Sequence, residues 1–271
     1  MHPPSAAPRK APKRPSTPGW TPVIVEESDD WIVIDKPSPM AAHPSKPGDN
    51  GTLWHYLSDL LAYECVNGGQ ISIITRLDRE TSGLTLVAKT QAQARSFCRQ
   101  MEARTIHKSY LALVWGWPQQ DVWEIDGPLG RLGATTHSKI WLKQAILKEG
   151  APAITRFEVV QRFSRPSSNG SEFSLIRAIP QTGRMHQIRV HLQASGHSIL
   201  GDKIYGPDQE CYLEFIETGW SSALEEQLLL PRHALHAEHL LLKESGLSWT
   251  APLPKDMAAF IGNYSPIFSK T

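Results

Sequence analysis

Residues 71–90 read ISIITRLDRETSGLTLVAKT. Two apolar runs, ISIIT and LTLVAKT, have the β-branched composition of buried strands and bracket the polar RLDRETSG. Thr81, Ser82 and Gly83 supply turn chemistry, and Gly83 is free to take a positive φ. A carboxylate at such a turn, Asp78 between Arg76 and Arg79, can project from a rigid sheet into a cleft. Read alone, an Asp among arginines is a surface ion pair worth little.

Working outward, PVIVEES and DWIVIDK form two strands of a hairpin about the acidic Ser28-Asp29-Asp30 turn. Thr52 caps a helix through about Tyr63, with Leu53, Tyr56, Leu57, Leu60 and Leu61 on one face. Thr90 caps another through about Arg104. HKSYLALVWG, SKIWLK, AITRFEVVQRF and EFSLIRAIP continue as a β-rich stretch, and Met185 to Ala194 reads as helix. Six acids and no Lys or Arg lie between Pro207 and Pro231, on two solvated helices. HALHAEHLLL and GLSWTAP read as a final strand pair before a short helix from Lys255 to Ile261. The fold class is α+β, with a mixed, mainly antiparallel sheet and flanking helices.

The chain has 271 residues, 28 Lys plus Arg and 27 Asp plus Glu, for a net charge of +1. That excludes a generally polycationic coat for nucleic acid but not a local basic patch. The charge is unevenly spread. Residues 71–110 carry seven basic groups against three acids, and residues 175–206 carry four against one. Residues 1–22 hold seven prolines, four basic residues and no acid, so residues 1–20 are expected to be a disordered tail. No apolar run is long enough to span a membrane, and three scattered cysteines without CxxC fit a reducing cytoplasm. No phosphate-binding glycine loop is present, so nothing supports a nucleotide cofactor.

The second informative segment, Pro180 to Gly206, is PQTGRMHQIRVHLQASGHSILGDKIYG. Thr182 and Gly183 enter a helix whose first turn carries Arg184, His186 and Gln187, with Arg189 three residues beyond His186 on a shared face. Such a face is either a solvated basic stripe or an anion or RNA site that combines side chains with helix N-terminal amides.

Together, RLDRETSGL and GRMHQIRVHL followed by GHSILGDKIYG resemble the two signature motifs of the RluA branch of pseudouridine synthases. KSYLALVWG resembles the intervening strand that carries their active-site tyrosine. Weaker echoes fall in the expected order at VIVEESDDWIVIDKPSPMAAHPS, GAPAITRFEVV and LHAEHL, so the resemblance runs from about Pro22 to the C-terminus. It implies an RNA-modifying isomerase with Asp78 as the essential carboxylate, Tyr110 as the active-site tyrosine and Arg189 as the basic partner of Asp78. Arg76 would hold the target nucleotide out of its helix and Leu77 would wall the pocket. Arg79, Arg184, His186 and Gln187 would contact RNA or support the site. The implied partner is a stem-loop of ribosomal or transfer RNA, with no metal, cofactor, membrane or obligatory protein partner, and a monomer is the default. Residues 21–271 are expected to form one catalytic domain, the tail being too short for the S4 domain of some members. The sequence departs from the family pattern at Thr75, where His is common, and at Lys36-Pro37-Ser38-Pro39, where KPxG is common.

Two other readings compete. A non-catalytic RNA-binding factor on the same scaffold has no need to retain Asp78, Tyr110 and Arg189 together. A metal centre at His233, His236, Glu238 and His239 fails on strand alternation, which faces His236 away from the other two histidines. Trp31, Trp54 and Trp141 read as core, and Trp115 and Trp117 as candidates for a cleft wall.

Overall fold

A computed structural model describes residues 21–46, 48–166 and 170–262; the expected tail, residues 1–20, lies outside them. The chain builds β1 (Val23–Glu27), β2 (Trp31–Lys36), α1 (Leu53–Leu60), α2 (Ala62–Val66), β3 (Ser72–Ile73), β4 (Ser82–Ala88), α3 (Gln91–Glu102) and β5 (Ile106–Trp115). It continues through β6 (Val122–Asp126), β7 (Leu129–Arg131), β8 (Gln144–Ile146), β9 (Ile154–Ser164), β10 (Glu172–Pro180) and α4 (Gln187–Ala194). α5 (Glu210–Thr218), α6 (Ser222–Leu228), β11 (Leu235–Leu242), β12 (Leu247–Thr250) and α7 (Lys255–Gly262) complete it.

The main sheet runs β1-β2-β4-β11-β5-β10-β9-β6, with β3 added to β4 and β12 to β11. It is α+β and mainly antiparallel, as the pattern of elements predicts. Among the described residues its one parallel pairing, β4 with β11, spans only His236↔Ser82 and Ala237↔Gly83, and there the two halves of the sheet meet. A side chain at Gly83, whose φ is +110°, would overlap the Ala237 carbonyl, so glycine is what lets the halves close.

Alternation decides which helix covers which face. On β2, Ile32 and Ile34 join Leu53, Leu57 and Leu61, while Val33 joins Phe97 of α3 in a second cluster. Burial of such a Leu or Phe stabilises the fold by about 1.5–3 kcal/mol. Thr52 and Thr90 cap their helices, their hydroxyls accepting from the amides of His55 and Gln93. Each such cap is worth about 1 kcal/mol.

Several expectations need correction. SKIWLK is not a strand: Ile140 takes the buried slot, Ser138 turns the chain on it, and the lysines reach to Glu210 and Gln209. Trp141 is consequently 71% exposed, with Arg131 lying over its ring, and Trp54 is also exposed, so neither is core. Trp31 does pack inward, edge-on to Trp249. The first helix breaks at Leu61, leaving Leu60 outward, and ISIIT pairs only at Ser72–Ile73. β6, β7 and β8 carry too little apolar alternation to be read from sequence.

Candidate active site

At the seam, a cavity of about 500 Å³ opens between the β3–β4 loop, β5 and the entry to α4. Asp78, Arg76, Leu77, Tyr110, Arg184, His186, Gln187 and Arg189 all line it. Arg79 does not; its side chain is exposed.

The loop that carries Asp78 is held at nearly every residue. The Arg79 carbonyl accepts from the Met40 amide at 2.8 Å and from Lys36 Nζ at 3.4 Å. The Glu80 carbonyl accepts from Ser38 Oγ at 2.7 Å. The Glu80 carboxylate meets Lys203 Nζ at 2.8 Å and the His233 amide at 3.2 Å, and Thr81 Oγ1 meets His233 Nε2 at 2.8 Å. Lys36 is fully buried, its ammonium donating also to the Met40 and Pro37 carbonyls. The Lys36–Met40 segment thus clasps the loop, and Asp78 stands on a fixed base.

Asp78 keeps 30% of its side chain exposed to the cavity, and its Oδ2 accepts from Arg189 Nη1 at 2.9 Å. Burial opposes ionisation, but the Arg189 guanidinium outweighs it and holds the carboxyl below its usual range. Arg189 is itself buried, and its other face is filled. Nε and Nη2 donate to Asp202 Oδ2 and Oδ1 at 2.7 and 2.9 Å, a bidentate fork. Asp202 is completely buried, accepts also from the amides of Ile204 and Tyr205, and is held well below the usual carboxylate range. The basic stripe on α4 is therefore not solvated.

His186 precedes α4, which begins at Gln187 rather than at Met185, and takes a left-handed φ of 57° as its N-cap. Tyr205 explains why the ring is held there. Its hydroxyl accepts from the Gln144 amide at 2.8 Å and lies 2.8 Å from His186 Nδ1; because the Asp78 carboxylate facing Nε2 can only accept, the arrangement favours Tyr205 donating to Nδ1. The His186 proton is then on Nε2, which faces Asp78 Oδ2 at 3.8 Å. Burial and the Arg189 charge push the imidazole down to about 4, so it is neutral at physiological pH.

Tyr110 stands on β5 between Ala178 of β10 and Ala237 of β11, small neighbours in register that leave room for its ring. Burial, and then the Asp78 charge, raise its pKa, so it stays a phenol. Gln187 lines the cavity but has its amide spent: Oε1 accepts from Thr182 Oγ1 and the Arg184 amide, and Nε2 donates to Ile154 O and Thr155 Oγ1. Thr75 is likewise turned to structure, its hydroxyl accepting from the Leu86 amide. Trp115 and Trp117 are not cavity walls: Trp115 packs on Phe173, and Trp117 donates to the Phe163 carbonyl.

The sequence reading missed Asp202, Tyr205, Lys36 and Lys108. Two signals could have found Asp202: it lies with Tyr205 inside the GHSILGDKIYG motif, and it is the sole acid between residues 175 and 206. Among the described residues, no group of three His, Cys, Asp or Glu is placed to hold a metal. Near the C-terminus His233 engages Thr81 and Glu80, His236 engages Ser82 through Nδ1, and His239 engages Ser248. No helix among the described residues is long and apolar enough to cross a membrane.

Comparison with known proteins agrees on one family. The sequence profile of RNA pseudouridylate synthases matches residues 30–194. Ribosomal large subunit pseudouridine synthase D of Nitrosomonas europaea is 36% identical over 88% of this chain and 64% of its own length. The same-named protein of Neisseria meningitidis is 35% identical over 86% of this chain and 59% of its own. The chain therefore spans about six-tenths of the length of these relatives. The dual-specificity RNA pseudouridine synthase RluA of Vibrio parahaemolyticus is 32% identical over 72% of this chain and 73% of its own length. In fold, human RNA pseudouridylate synthase domain containing 1 matches with a TM-score of 0.66 at 24% identity, covering 98% of this chain and 91% of its own.

Proposed function

Because the chain belongs to the RNA pseudouridylate synthase family, we propose that it isomerises uridines in structured ribosomal or transfer RNA to pseudouridine. The observation that carries this reading is the cavity-facing Asp78 held ionised by Arg189 at 2.9 Å. The names of the relatives favour RNA of the large ribosomal subunit first.

The reaction breaks the N1–C1′ bond, turns the uracil, forms a C5–C1′ bond and then loses the C5 proton while N1 gains one, so the atoms balance. It changes no oxidation state and imports no group. Attack on C1′ and the glycal route both start from an ionised carboxylate, the form that Arg189 favours in Asp78. His186, neutral, presents its Nε2 proton toward the same carboxylate. Tyr110 stacks on the displaced uracil, since burial beside Asp78 disfavours a phenolate base. The target nucleotide must leave its helix at a cost of a few kcal/mol, which an unpaired loop lowers. Arg76, exposed at the cavity mouth, is placed to take its position or to clamp a phosphate. In this reading residues 21–271 form one catalytic domain. It acts in the cytoplasm as a monomer, with no obligatory protein partner. A non-catalytic RNA-binding factor would leave the clasped Asp78 loop and its buried Arg189 partner without a purpose.

The test is to incubate the protein with transcripts of large-subunit ribosomal RNA and, separately, of transfer RNA, then to map pseudouridine chemically. New pseudouridine at one or a few loop uridines is expected. No pseudouridine in either RNA would sink the reading.

A further inference from the structure

Among the described residues five lysines are buried or half-buried; Lys143 donates to Gln209 Oε1, and three others are fully occupied. Lys36 donates to three carbonyls, Lys89 meets Glu27, Glu64 and the Ser28 carbonyl, and Lys203 meets Glu80 and the Pro231 carbonyl. Lys108 is the exception. It is half-buried, yet among the described residues its ammonium meets no carboxylate, carbonyl or hydroxyl. It lies two residues before Tyr110 on β5, so both side chains leave the same face of the sheet. A Cβ at Gly183 would sit 3.8 Å from its Nζ, which places the ammonium beside the turn that leads into α4, in the wall of the cavity.

A cation taken partly out of water without a partner is costly, and burial accordingly lowers the Lys108 pKa. An anion entering the cavity would recover that cost. The neighbouring cations differ from it: Arg76 and Arg184 are exposed, and Arg184 already donates to the Pro152 carbonyl. Free uridine carries no anion to meet Lys108. A uridine within an RNA chain carries one on each side.

We propose that Lys108 binds the phosphodiester next to the target uridine, so that the site selects a nucleotide within a chain over a free nucleoside. This rests on the reading of the cavity as a uridine site. The phosphate oxygen accepts from Nζ beside Gly183 while the base reaches inward past Tyr110 toward Leu77.

The test titrates the full chain and its Lys108→Gln and Lys108→Arg variants with an RNA of about ten nucleotides. This RNA carries one uridine among adenosines, with or without a neutral methylphosphonate on either side of that uridine. Neutralising one of those two linkages should weaken wild-type binding roughly tenfold, the scale of one charge-assisted hydrogen bond. Lys108→Gln should bind the unmodified RNA roughly tenfold more weakly and be indifferent to the methylphosphonate. Its slope of log K against log salt should be smaller by about 0.7, one phosphate contact on a single strand. Lys108→Arg should stay close to wild type. The proposal is overturned if Lys108→Gln keeps wild-type affinity and salt slope, or if wild type ignores both methylphosphonates. Should Lys108→Gln fail to fold, the wild-type comparison alone decides. Binding that shows the Lys108 dependence without any pseudouridine formation would overturn the functional reading and leave the phosphate contact standing.

Discussion

Asp202 orients Arg189: two hydrogen bonds of 2.7 and 2.9 Å fix the guanidinium, and Nη1 is left to meet Asp78. The order of burial, Asp202 at 0%, Arg189 at 5% and Asp78 at 30% of side-chain exposure, runs from a sealed anchor to an end open to the cavity. Replacing Asp202 by Asn keeps the shape and removes the charge. We expect about 3 kcal/mol of lost stability in urea unfolding, the scale of a broken buried ion pair. Pseudouridine formation should fall by up to about a hundredfold, because a misaimed Arg189 no longer holds Asp78 in place. Unchanged rates in a folded Asp202→Asn would remove the anchoring role.

Tyr205 sets the His186 tautomer through one hydroxyl that accepts from Gln144 and donates to Nδ1. Tyr205→Phe strips both bonds and leaves a buried amide unpaired. A loss of about 1–3 kcal/mol is expected in denaturant titration. The His186 ring nitrogens, followed by nitrogen NMR, should change from one tautomer to a mixture. A spectrum identical to wild type would contradict the assignment.

Lys36 clasps the Asp78 loop from beneath. Lys36→Met keeps a chain of similar length and leaves the Met40, Pro37 and Arg79 carbonyls without its donor. A cost of about 1–3 kcal/mol is expected. Hydrogen exchange should quicken at the Met40 and Thr81 amides, which bond within this clasp, while the β9–β10 ladder stays protected. Uniform quickening across the sheet would mean that Lys36 supports global folding and not the loop.

These positions also mark what sequence conveys. The strands β2, β4, β5, β9 and β10 and the caps at Thr52 and Thr90 were legible because periodicity and capping act within a few residues. The charged islands at Arg76–Asp78 and Arg184–Arg189 were legible as candidates. Their meeting was not, because Asp78 and Arg189 are joined only by the seam between β4 and β11. Asp202 reads as one acid in a glycine-rich turn, and nothing local says that it is buried. Trp141 failed for the converse reason: an apolar neighbour, Ile140, took the inward slot, and Arg131 made outward exposure tolerable.

Acid stability follows from the buried histidines. His186 and His236 have folded pKa values of about 4 against 6.5 unfolded, and His233 lies well below 6.5, in each case chiefly through burial. Between these limits the unfolded chain binds more protons. Stability is therefore fully present above about pH 6.5 and is lost as pH falls through about 4. Each histidine contributes on the order of 1 kcal/mol per pH unit in that window. Urea midpoints measured between pH 7 and pH 4 should fall steadily, and His236→Gln should flatten the slope by about one proton. A midpoint independent of pH would show that these rings are not neutral and buried.

In the proposed reaction Asp78, kept ionised by Arg189, does the chemistry. The direct measurement is single-turnover pseudouridine formation by Asp78→Asn on whichever transcript the wild-type protein modifies, with RNA affinity measured alongside. RNA binding close to wild type and no pseudouridine above background are expected. Pseudouridine formed by Asp78→Asn at a rate near that of the wild type would contradict this role of Asp78.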